Sequence, residues 1–139
     1  MQIASWNVNS VRTRLDHVLN WLEHSQADLL ALQETKVDDP QFPLELFLQR
    51  GYEVQFYGQK AYNGVALISR TPVEDVRMGF SAELIDDAEA EELSAQKRVI
   101  SALIDGVRVV NLYVPNGSSL SSDKYNYKLK WLSCLERYL

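Results

Sequence analysis

Leu29-Leu30-Ala31-Leu32, running straight into Gln33-Glu34-Thr35-Lys36, decides how this chain is built. Four consecutive apolar residues leave no polar face, so the run reads as a strand buried on both sides. Gln2 to Trp6 reads as an earlier short strand. Between the two, Val11, Leu15, Val18, Leu19 and Leu22 fall on one face of a helix spanning Val11 to His24, with Ser10 placed as its N-cap. A strand, a helix and a second strand in this order predict a parallel pair and an α/β fold.

Downstream, Pro43 to Arg50 reads as a short helix stopped by Gly51, and Tyr52–Tyr57, Val65–Ser69 and Val73–Met78 read as strands. Arg98–Ile104 and Val107–Val114 flank Asp105-Gly106, a dipeptide that favours a type I′ hairpin turn. Gly117–Ser122 reads as loop. A final helix from about Asp123 carries Trp131, Leu132, Leu135, Tyr138 and Leu139 on one face. No repeat or linker interrupts the pattern, so the chain is one domain or a piece of one. An apolar-faced helix in an alternating α/β chain ordinarily leads to a further strand.

At 139 residues and 46% hydrophobic, the chain can bury a real core. No stretch reaches the roughly 20 apolar residues of a membrane span. The opening residues show no basic segment or cleavage site of a secretory signal. Cys134 is the only cysteine, which excludes an internal disulfide and makes a reducing, cytoplasmic setting the expectation. The net charge of −5 argues against a polyanionic partner until its distribution is read. Residues 74–92 hold eight acids and one base; elsewhere thirteen bases face eleven acids. After Gly79 that acidic segment reads as a loop or a solvated helix, with the loop favoured.

Three strings place polar residues where apolar strands run out: Ser5-Trp6-Asn7-Val8-Asn9, Leu32-Gln33-Glu34-Thr35-Lys36 and Asn111-Leu112-Tyr113-Val114-Pro115-Asn116-Gly117. Strand ends are where layered α/β proteins hold ligands. Glu34 can bind Mg²⁺, which takes one or two carboxylates plus waters and phosphates, or it can pair with Lys36 or an arginine. The Asn7 amide suits a metal water or a phosphate oxygen, and equally a turn. Tyr113, stiffened by Pro115, is a phosphate donor or an edge-of-core aromatic. Arg12, Lys36, Lys60, Lys97 and Arg98 are phosphate-contact candidates or solvated charges, and Tyr62-Asn63-Gly64 is a stacking tip or a plain turn. His17 and His24 are not spaced to share a metal.

Taken together, these strings resemble the exodeoxyribonuclease III and AP endonuclease branch of the endonuclease/exonuclease/phosphatase superfamily. The likeness runs from Ile3-Ala4-Ser5-Trp6-Asn7 through Leu32-Gln33-Glu34-Thr35-Lys36, Tyr62-Asn63-Gly64-Val65-Ala66-Leu67 and Lys97-Arg98-Val99-Ile100 to Tyr113-Val114-Pro115-Asn116-Gly117. It implies the N-terminal half of a DNase-like four-layer α/β sandwich over residues 1–139, a mixed sheet with helices on one face.

By resemblance, Glu34 and Asn7 hold Mg²⁺ or Mn²⁺, Lys36 supports Glu34, and Tyr113 and Asn116 meet the phosphate or the abasic sugar. Arg12, Tyr62, Asn63 and Arg98 touch DNA. The implied reaction is hydrolysis 5′ to abasic sites, with 3′-to-5′ exonuclease action, on double-stranded DNA. Family members run to about twice this length, and their second half supplies an Asp-x-Asn strand and an Asp-His pair that these residues lack. The expectation is weak or no cutting by these residues alone. The alternative is a non-catalytic domain that binds DNA or a complementary fragment through the faces the missing half leaves open.

Overall fold

The computed structural model describes residues 1–139. The first strand, β1 (Ile3–Asn7), pairs in parallel with β2 (Leu29–Gln33), and the helix α1 (Leu15–His24) makes the crossover. After α2 (Leu44–Leu48), β3 (Glu53–Tyr57) and β4 (Val65–Ser69) add antiparallel, giving a sheet ordered β1-β2-β4-β3. A second, antiparallel sheet follows, ordered β5-β6-β7, from β5 (Val73–Met78), β6 (Val99–Ile104) and β7 (Val107–Leu112). Asp105 and Gly106 both take positive φ, 50° and 75°, as a type I′ turn requires.

Alternation along the strands builds the layers. Leu30 and Leu32 of β2, with Ala66 and Ile68 of β4, face α1 and α2 through Val18, Leu19, Leu22 and Phe47. The opposite set, Leu29, Ala31, Val65 and Leu67, packs on Ile100, Ala102 and Ile104 of the second sheet. That sheet's outer face is covered by α3 (Ala88–Ser94) and α4 (Asp123–Tyr138) around Phe80, Leu93, Trp131 and Cys134. Helix, sheet, sheet and helix make the expected four layers, each sheet carrying helices on one face.

Four local expectations are corrected. The first helix starts at Leu15, not Val11, and Ser10 is no N-cap: its φ is 85° and the cap position is Arg14. The backbone N–H groups of Val8, Ser10 and Val11 are committed to the carbonyls of Gln33, Glu34 and Thr35, which prolongs the β1–β2 pairing past the strands. Held by these bonds, Ser10 keeps a left-handed φ in place of the extended backbone of an N-cap, and the regular helix starts later.

The acidic segment is not simply a loop. It holds a 3-10 turn at Phe80–Ala82 and the helix α3, whose N-cap Asp87 accepts from the Ala90 N–H at 3.0 Å. Phe80, Ala90 and Leu93 are buried beneath an acidic outer face. Five of its eight acids are paired: Asp75 with Arg77 and Arg108, Glu83 with Arg77, Asp87 and Glu89 with Arg137, and Glu92 with Lys130.

The inward face of α4 is Tyr127, Trp131, Cys134, Leu135 and Tyr138, while Leu132 and Leu139 are exposed. Finally, a 3-10 turn at Asp39–Gln41 precedes α2, which is shorter than the expected helix at both ends.

Candidate active site

The ends of β1, β2 and β4 and the flanks of β6 and β7 are laced into one rim. Beyond the Val8, Ser10 and Val11 bonds, Thr35 N–H donates to Gly64 O at 3.3 Å and Lys36 N–H to Asn63 O at 2.9 Å. Gly64 N–H then reaches Lys97 O at 3.1 Å, and Tyr113 N–H reaches Arg98 O at 2.8 Å. Along this rim Asn9, Ser10, Glu34, Lys36, Ala61, Asn63 and Lys97 all have positive φ. Non-glycine residues hold that conformation only where the surroundings enforce it, and such positions gather at functional sites.

Within the rim, the Tyr113 hydroxyl donates to Glu34 Oε1 at 2.9 Å. A phenol two residues from Asn111 on β7 thus meets a carboxylate one residue beyond β2, across 79 residues of chain. Burial first, and the Glu34 carboxylate second, push the Tyr113 phenol above its ordinary value, so it stays a neutral donor. Asn7 pairs in register with Gln33, which puts it beside the Glu34 end of β2. It is exposed, and its Oδ1 accepts from the Asn9 N–H at 3.2 Å.

Lys36 donates its Nζ to Asn9 Oδ1, not to Glu34, and so ties the two strand-end loops together. Arg98 is not a solvated charge: it is half-buried, with its guanidinium 4.6 Å from the Tyr113 ring centroid and its Nη1 donating to Tyr113 O at 3.2 Å.

Tyr113, Arg98, Asn116 and Tyr62 share the wall of a cleft of about 460 Å³, completed by Gln96, Pro115, Asp123, Lys124 and Tyr127. Asn116 turns its Oδ1 to the Ser118 N–H at 3.1 Å, and Tyr62 stands largely exposed at the lip. Asn63 Nδ2 donates to Gln96 Oε1 at 3.3 Å and supports the same lip. Lys97 lies 4.0 Å over the Tyr57 ring. Arg12 is exposed in the turn after β1, outside the cleft lining.

Three contributors escaped the sequence reading. Gln33 and Asn111 form a buried amide pair between the sheets, 2.8 Å apart, directly below the rim. Tyr127 closes the far side of Arg98, 5.7 Å from its guanidinium. The signal for the amide pair was present: Gln33 is the one polar residue of β2, and Asn111 is the one uncharged polar residue of β7. Nothing local in α4 marks Tyr127, which lines the cleft and flanks Arg98.

Glu34 and Asn7 offer one carboxylate and one amide oxygen, a hard donor set. No group of three or more His, Cys, Asp or Glu side chains gathers in a metal-binding arrangement. The set fits Mg²⁺ or Mn²⁺, which keep several waters and draw on substrate phosphate, and does not fit a closed protein cage.

Residues 4–133 match the family model described as Endonuclease/Exonuclease/phosphatase family. The chain therefore belongs to the endonuclease/exonuclease/phosphatase family. Within it, the similarity is to DNA-repair nucleases. The chain is 35% identical to the exodeoxyribonuclease III of Haemophilus influenzae, covering 100% of this chain and 51% of that protein. It superposes on an AP endonuclease from Archaeoglobus fulgidus with a TM-score of 0.87 and 44% identity, covering 100% of this chain and 51% of the other. A Neisseria 3′ phosphatase, NExo, bound to a product DNA hairpin, gives a TM-score of 0.88 and 43% identity, covering 99% and 51%. The chain spans about half the length of each of these relatives. No helix is long and apolar enough to cross a membrane.

Proposed function

We propose that these residues form the phosphate- and metal-holding part of a DNA-repair phosphodiesterase of the exodeoxyribonuclease III and AP endonuclease type, working in the cytoplasm on duplex DNA at abasic sites and 3′ ends. The observation that carries the reading is the Tyr113–Glu34 hydrogen bond at a rim of strained strand ends. Glu34 and Asn7 would hold Mg²⁺ or Mn²⁺, which when bound neutralises phosphate charge and polarises the scissile bond. Tyr113, kept protonated, exchanges its Glu34 acceptor for a phosphate oxygen and stabilises charge growing there. Asn116, on the same cleft wall, orients the phosphate or the abasic sugar. Lys36 fixes the Asn9 loop beside Asn7. Arg12, Tyr62, Asn63 and Arg98 contact the DNA backbone, Arg98 from beside the Tyr113 ring.

Glu34 is the lone carboxylate in this set; Asp123 lines the same cleft but sits on the final helix, and we assign no residue here to position the attacking water. Lacking such a group typically costs about 10²–10⁴-fold. We therefore expect slow cutting by these residues alone.

A second reading is favoured by one feature. Ile3 is 49% exposed on edge strand β1, although its register partner Leu29 is fully buried under the second sheet. A complementary fragment or a further stretch of the fold would cover that face, with the chain serving as a DNA-binding part.

The test incubates the purified chain with an abasic-site duplex, with Mg²⁺ or with EDTA. Slow, EDTA-sensitive nicking that Glu34→Ala abolishes supports the nuclease reading. Salt-sensitive binding without nicking supports the second. Neither binding nor nicking, or nicking that survives EDTA and Glu34→Ala, overturns both.

A further inference from the structure

The facing sheets meet through apolar side chains on most of their shared surface, and apolar contact is non-directional. Packing of Leu29, Ala31, Val65 and Leu67 on Ile100, Ala102 and Ile104 does not by itself fix how far one sheet slides on the other. A slip of one residue would move β7 by roughly 3.3 Å, enough to part Tyr113 from Glu34.

One feature at this interface is directional. Asn111 Nδ2 donates to Leu32 O of β2 and to Ala66 O of β4, each at 2.9 Å. Leu32 and Ala66 are themselves register partners, so Asn111 is located against two strands at once. Its Oδ1 accepts from Gln33 Nε2 at 2.8 Å, and Gln33 Nε2 also donates to Ser5 Oγ of β1 at 3.0 Å. Asn111 is 3% exposed and every polar atom of its side chain is used. Buried amides so fully bonded specify a single arrangement, since any slip leaves desolvated groups unpaired.

We propose that Asn111 and Gln33 are positioning residues: a sheet-to-sheet amide clamp that sets the offset at which the Tyr113 hydroxyl reaches Glu34. Tyr113 lies two residues beyond Asn111 on the same face of the β7 path, and Glu34 lies one residue beyond Gln33. The clamp therefore acts at the base of the pair, through short rigid backbone. The inference rests on the reading of Tyr113 and Glu34 as the phosphate-facing pair, but its test does not depend on cutting.

The chain is labelled with ¹³Cζ-tyrosine and observed at neutral pH, with Tyr113 assigned by its loss in Tyr113→Phe. Glu34→Gln removes the facing charge and should move the Tyr113 signal in the wild-type background. In Asn111→Leu, and separately in Gln33→Met, the same Glu34→Gln change should move it several-fold less. Tyr138, whose ring packs 5.3 Å from that of Phe80 on the outer face of the second sheet, is the control and should not respond. Gln33→Met breaks the bond that joins the two amides and leaves the buried Asn111 Oδ1 unpaired, so it serves as the second variant if Asn111→Leu does not fold. An undiminished Tyr113 response in the folded clamp variants overturns the clamp, whatever the nuclease assay gives. A diminished response in a chain that neither binds nor cuts DNA sustains the clamp and removes the nuclease reading instead.

Discussion

Replacing Gly64 by alanine strikes the rim at its tightest point. Gly64 has φ +93°, and a Cβ added there would overlap Thr35 Oγ1. Thr35 is 1% exposed and follows Glu34 directly, so it has nowhere to retreat without moving the carboxylate. Left-handed backbone costs a non-glycine residue about 1–2 kcal/mol, and overpacking a tight contact adds about 1–3 kcal/mol. Together Gly64→Ala should cost roughly 2–5 kcal/mol by these magnitudes, a large part of the ~5–15 kcal/mol that holds such a domain folded.

Gly51 supplies the comparison, with φ +83° and nothing within 4 Å of an added Cβ, so Gly51→Ala carries the backbone cost alone. For a chain of this size about 1 kcal/mol corresponds to ~3–5 °C in Tm. Thermal unfolding followed by circular dichroism should thus show Gly64→Ala lower by roughly 10–20 °C and Gly51→Ala by roughly 5 °C. Adding Thr35→Ala to Gly64→Ala removes the overlapped oxygen and should recover part of the loss. Equal melting of Gly64→Ala and Gly51→Ala would refute the argument from space.

Trp131→Ala, at a fully buried ring 5.1 Å from that of Phe80, should cost about 3–5 kcal/mol in urea unfolding. Leu132→Gln, one residue on and 37% exposed, should stay within about 0.5 kcal/mol. Alkaline stability follows from Tyr113, Tyr127 and Cys134, whose proton affinities are all raised chiefly by burial. The unfolded chain releases these protons first, so it binds fewer than the folded one and stability falls with rising pH. Tm should hold steady through neutrality and drop once pH passes the ordinary thiol and phenol range. A Tm that rises there would contradict the assignment.

Much of the architecture was legible because burial writes itself into composition. Leu29-Leu30-Ala31-Leu32 could only be a doubly covered strand, and Asp105-Gly106 could only turn the way it does. Glu34 and Tyr113 were visible as polar residues at strand ends. Less legible were features that depend on partners distant in sequence. The late start of α1 follows from lateral bonds to the segment after β2, and no local pattern encodes them. Acidic residues outnumbered Phe80, Ala90 and Leu93 and hid α3. The enclosure of Arg98 was not legible because Tyr113 and Tyr127, which flank it, lie 15 and 29 positions further on. Leu132 and Leu139 were assigned to the buried stripe of α4, where Tyr127 and Cys134 instead pack inward.

The most direct test of the account is paramagnetic broadening by Mn²⁺ of the ¹³Cζ-tyrosine spectrum. If the strand ends converge on a cation- and phosphate-holding site, substoichiometric Mn²⁺ broadens the Tyr113 signal ahead of every other tyrosine, and Glu34→Ala abolishes the selectivity. Broadening that spares Tyr113, or that is indifferent to Glu34→Ala, contradicts it.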